Sequence, residues 1–61
     1  MLPEALEIID AQVLIACGHP ERVDVVRMFA LIADFEAAAM PLWAEQAAWC
    51  AEAACGCEHM S

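Results

Sequence analysis

The chain is 61 residues long and 64% hydrophobic, with ten acidic side chains against two arginines and a formal net charge of −8. That balance argues against a nucleic-acid binder that grips phosphates and against a protein that docks on anionic lipid, since both need clustered Lys and Arg. The length allows one domain, and its apolar share exceeds the about 45–50% usual in soluble domains, so a single helical domain of residues 1–61 is expected to hide surface against another chain.

Helix 1 is expected over about residues 3–17. Pro3 suits the first helical position, and Glu4 and Glu7 sit near the positive end of the helix dipole. Ala5, Leu6, Ile8, Ile9, Val13, Ile15 and Ala16 form a wide apolar face. Gln12 falls inside that face and Leu14 outside it, which marks both as expected contacts with a second chain.

Residues 18–19 read as the turn. Gly18 suits the left-handed position after a helix, His19 serves as a cap or turn residue, and Pro20 opens the next helix. So short a connection implies an antiparallel hairpin.

Helix 2 is expected to run from Pro20 to about Ala54, with Glu21 and Asp24 in its first turn. One stripe follows Val23, Val26, Ala30, Ala33, Ala37, Met40, Ala44, Ala47, Ala51 and Ala54, in alternating steps of three and four. That is a heptad seam, mostly alanine and open to close helix approach. A second stripe carries the bulk, including Met28, Ile32, Phe35, Leu42 and Trp43. Arg27, Asp34, Glu45 and Glu52 share nearly one angular position as the solvent line. A helix apolar on both sides of such a line must be covered on both sides.

Pro41 sits inside this stretch, where it removes a backbone hydrogen bond and clashes with the carbonyl of Ala37. Helix-favouring residues flank it, so the expectation is a kink. A break that makes Pro41–Ala54 a third helix is the alternative. The expected fold is therefore all-α: a helical hairpin with a long second helix kinked or broken at Pro41, paired into a homodimer or a higher bundle. The candidate interface is Val26, Ala30, Ala33, Ala37, Met40, Leu42, Trp43, Ala44, Ala47 and Trp49. Large aromatics such as the two tryptophans favour interface centres.

The tail, residues 55–61, completes a chemically suggestive group. Cys50, Cys55, Cys57 and His59 offer three thiols and an imidazole, a donor set that suits tetrahedral zinc or Cu(I). Cys50 and Cys55 point more than 90° apart on a continuous helix, so a shared site requires the helix to end before Cys55. If instead the chain breaks at Pro41 and returns, Cys17 and His19 come near the C-terminal cysteines.

No nucleophile, base and orienting acid stand at a recognisable spacing, and with two glycines no phosphate-cradling loop can form. Regular charges rule out a spanning helix, and no basic start or cleavage site marks a signal peptide, so the expectation is a cytoplasmic, non-enzymatic protein without a cofactor. The leading function is a small acidic regulatory protein acting as a homo-oligomer through protein–protein interaction, for example an inhibitor that covers a basic surface. Zinc or copper binding through the C-terminal cluster is the second possibility, and a structural assembly subunit is the third.

Overall fold

The computed structural model describes residues 2–59, with side chains described for 2–56. Every regular element in that span is helical: α1 (Pro3–Ala16), a single 3-10 turn (Pro20–Arg22), α2 (Val25–Ala37) and α3 (Pro41–His59).

Pro3 opens α1, and the Leu2 carbonyl accepts from the Ala5 and Leu6 amides at 3.0 and 3.3 Å. The helix closes with a Schellman pattern. His19 N–H reaches the Leu14 carbonyl at 2.8 Å and Gly18 N–H the Ile15 carbonyl at 3.1 Å. That closure needs a positive φ, which Gly18 supplies at 83°.

The second helix does not begin at Pro20 as the sequence suggests. Pro20–Arg22 make one tight turn, Val23 is extended and buried, and Asp24 is the N-cap of α2. The Asp24 carboxylate accepts the backbone N–H of Arg27 at 3.1 Å, which satisfies one of the orphan donors at the helix start. An acid expected inside the first turn thus stands in front of it.

The larger departure is at residues 38–40. The continuous, kinked helix over 20–54 is not what forms; the chain takes the alternative, a break at Pro41, with α2 stopping at Ala37 and α3 starting at Pro41. Two local effects combine. Proline disfavours α conformation at Met40, and its missing N–H costs nothing at the first position of a new helix. The reversal closes with a second Schellman pattern, Met40 N–H to the Phe35 carbonyl at 2.9 Å and Ala39 N–H to the Glu36 carbonyl at 3.1 Å. Here Ala39 takes the left-handed position at φ 57° that glycine takes in the first turn. An alanine there costs about 1–2 kcal/mol, so the packing that follows must outweigh it.

That packing is the core. Ile8, Leu31 and Cys50 are its largest fully buried side chains, one from each helix. α3 turns Ala44, Ala47, Ala51 and Ala54 inward beside Cys50, and these small residues let α2 and α1 lie close. Met28 and Phe35 fill the space between, and the Phe35 and Trp43 rings stack across the α2–α3 reversal with centroids 6.1 Å apart. Two antiparallel turns in succession leave α1 and α3 running in the same direction. The bundle measures 36 × 19 × 15 Å.

Helix α3 continues through Cys55 to His59, so the expected non-helical tail from residue 55 is helix at least that far; residues 60–61 lie outside the described part. No helix among the described residues is long and apolar enough to cross a membrane.

Candidate interaction surfaces

Polar bonds between helices fix how each one is rotated. Glu7 of α1 accepts two hydrogen bonds from Arg27 of α2, from Nε at 2.9 Å and Nη2 at 2.7 Å. This is a bidentate pair, the strong form of carboxylate recognition. Both side chains remain about two-fifths exposed, so solvent screens the pair. The Arg27 guanidinium nevertheless holds the Glu7 carboxyl below its ordinary value, chiefly by direct hydrogen bonding. The α1–α3 seam has its own marker: Gln12 Nε2 donates to Gln46 Oε1 at 2.7 Å. Gln12, expected to meet a second chain, is thus satisfied within its own. Arg27 likewise reaches across to α1; its tie to Asp24 is through backbone, not charge.

With rotations set, the ten expected interface residues divide. Ala44 and Ala47 are buried inside the protomer, so they present nothing to a partner. Met40 and Trp43 are half-buried against the core. Val26, Ala30, Ala33 and Ala37 all face outward on α2, and Leu42 and Trp49 outward on α3. The break explains the division: it turns the back half of the alanine stripe over onto the front of its own chain.

Two apolar outer faces result. On α2, Val26 is 79% exposed and Phe29 56%. They lie beside Ala30, Ala33 and Ala37, and this face carries the heptad steps four, three and four from Val26. On the opposite side, Leu6 and Val13 of α1 stand more than half exposed, as do Leu42 and Trp49 of α3. Phe29 escaped the sequence reading because it lies beside the heptad stripe, and Leu6 and Val13 because they were counted in a single wide core face.

Of the four expected metal donors, Cys50 and Cys55 have described side chains, and these two do not converge. Cys50 is fully buried in the core, where burial pushes its thiol pKa up, the reverse of what a metal-ligating thiolate needs. α3 does not end before Cys55, so Cys50 and Cys55 diverge on one helix. The side chains of Cys57 and His59 lie outside the described part. Among the described residues no group of three His, Cys, Asp or Glu side chains converges on one point, and Cys17, Cys50 and Cys55 are free thiols. The chain reversal does occur, yet Cys17 and Cys55 make no such group with His19.

Three shallow clefts mark the surface. One of about 190 Å³ lies between α1 and the start of α2 and is lined by Glu7, Asp10, Arg22 and Arg27. A second of about 260 Å³ lies under Leu2, Phe35 and Met40. The third, about 490 Å³, is open ground beside Ala39 and Pro41. No known protein family, no curated protein and no solved structure matches the chain.

Proposed function

We propose that this is a small acidic, non-enzymatic regulatory protein of the cytoplasm that works through protein–protein contact and pairs with itself along α2. The observation that carries the reading is the outward face of α2, where Val26 stands 79% exposed on a heptad-spaced stripe that the chain leaves uncovered. Exposed apolar patches of this kind, rimmed by polar residues, are characteristic of interaction sites.

Self-pairing is favoured by the edges of the stripe. Arg27 and Asp34 flank it on one side, seven residues apart. In an antiparallel helix pair each edge meets the same edge of its mate, so Arg27 of one copy, while keeping its bond to Glu7, falls opposite Asp34 of the other. The alanines allow close approach, and Val26 packs across from Ala37. The chain's net charge of −8 suits a basic partner and discourages indiscriminate association.

Sedimentation equilibrium at micromolar concentration tests the reading. A closed oligomer that falls apart in Val26→Glu while helical circular dichroism is retained supports it. A well-folded monomer in the parent protein would overturn it.

A further inference from the structure

The face opposite α2 has a different character. Gln12 and Gln46 join α1 to α3 at 2.7 Å, and just outside that bond run two apolar rows, Leu6 and Val13 on one helix and Leu42 and Trp49 on the other. Each row steps by seven residues, so both repeat along the bundle every ~10.5 Å. Because α1 and α3 run the same way, the rows are in register. Leu6 lies ~9 Å before Gln12 and Leu42 ~6 Å before Gln46, while Val13 and Trp49 lie just beyond them. The result is a two-layer groove, with Leu42 72% and Trp49 52% exposed.

The α3 rim of this groove is carboxylate only. Glu45 and Glu52 form it, both exposed. Both arginines stand elsewhere: Arg22 and Arg27 line the cleft between α1 and α2 together with Asp10, and Arg27 is bound to Glu7. A second copy of the chain would bring carboxylates against carboxylates here, unlike the mixed-charge edge of α2. Apolar rows at seven-residue spacing beside an acidic rim are complementary to a helix with an apolar stripe flanked by Lys or Arg.

We propose that the α1–α3 groove is the docking site for a basic amphipathic helix of another protein, seated over Leu6, Val13, Leu42 and Trp49 and held along its α3 edge by Glu45 and Glu52. The proposal rests on the interaction reading above and assigns the two faces separate tasks, self-pairing on α2 and partner capture on α1–α3. Trp49 supplies the large aromatic surface at the centre, the residue type most often dominant in such contacts.

The test uses the full chain and three synthetic helices of about 18 residues, five turns. The first has leucines in one stripe flanked by lysines, the second the same composition with the leucines spread around the helix, and the third glutamate in place of lysine. Binding is read by anisotropy of the labelled peptide, and by Trp49 emission in a Trp43→Phe background. The striped basic peptide should bind, and Trp49 emission should move to shorter wavelength. Leu6→Asn with Val13→Asn should weaken it about tenfold or more, in keeping with the loss of two buried aliphatic contacts. Val26→Asn, on the other face, should leave it unchanged. Equal binding of the spread-leucine peptide, or indifference to the Leu6 and Val13 changes, would overturn the groove. So would dissociation of a homo-oligomer by those two changes, since a second copy would then occupy the site. A monomer that still takes the striped peptide would support the groove and sink self-pairing; an oligomer blind to every peptide would do the reverse.

Discussion

Ala39 is the residue where local preference and global packing disagree. It sits at φ 57° in a closure that elsewhere in the same chain uses glycine. Ala39→Gly should therefore raise stability by about 1 kcal/mol, the left-handed penalty less the extra freedom glycine has when unfolded; the midpoint of urea unfolding checks it. Asp24 is the converse case, a residue that local chemistry favours. Asp24→Ala should cost about 1 kcal/mol, a usual value for a lost N-cap, and should fray α2 first by amide exchange. Thiol labelling separates the cysteines by environment: Cys17 is exposed and should react with a disulfide reagent at once, whereas buried Cys50 should react only as the protein opens. Glu7 sets a pH dependence. Its folded pKa lies below the ordinary 4.5 because Arg27 bonds the ionised form. The stabilisation is therefore complete above about pH 4.5 and is lost as pH falls through the lower folded value. Thermal melts from pH 6 to pH 3 should show a shallower acid decline in Glu7→Gln than in the parent.

Among the elements, α1 was readable almost to the residue. Its proline start, acidic first turn and glycine stop each act locally and leave a mark in sequence. α2 and α3 were not, because their boundary is decided by packing. Ala37 to Met40 has no loop-like residue, and helix propensity alone runs straight through it. The one local sign is Pro41, and proline can kink a helix as well as start one. What decides is that a reversed α3 lays Ala44, Ala47, Cys50, Ala51 and Ala54 on α1 and α2, burial that a straight rod has to find in another molecule. The same reasoning divides the expected interface: the α2 alanines could be placed only once the fate of the α3 alanines was known. Cys50→Ser tests the element-level account, because an uncompensated hydroxyl at the α1–α2–α3 contact should cost about 1–3 kcal/mol with helix content retained below the new melting point.

For the molecule as a whole, the reversal supplies a core of its own, so association no longer has to support the fold. Ala33→Glu should accordingly abolish the proposed α2 pairing while leaving a helical monomer, since Ala33 faces outward on α2. Analytical ultracentrifugation paired with circular dichroism distinguishes this outcome from collapse, which would return the alanine stripe to the interior. Acidity belongs to this scale too. With net charge −8, capture of a basic ligand should weaken steeply with added salt while self-pairing through apolar alanines should not, because exposed charges are screened and buried apolar contact is not.

An odd number of rods has a geometric corollary for tethering. Up, down and up again places Leu2 and the last turns of α3 at opposite poles of a bundle 36 Å long. Anything fused ahead of Leu2 and anything fused after His59 would be held apart by a rigid spacer, as an even-numbered hairpin would not hold them. Fluorophores attached near those two poles should report low, narrowly distributed energy transfer, and ligand capture along the groove should leave that separation unchanged.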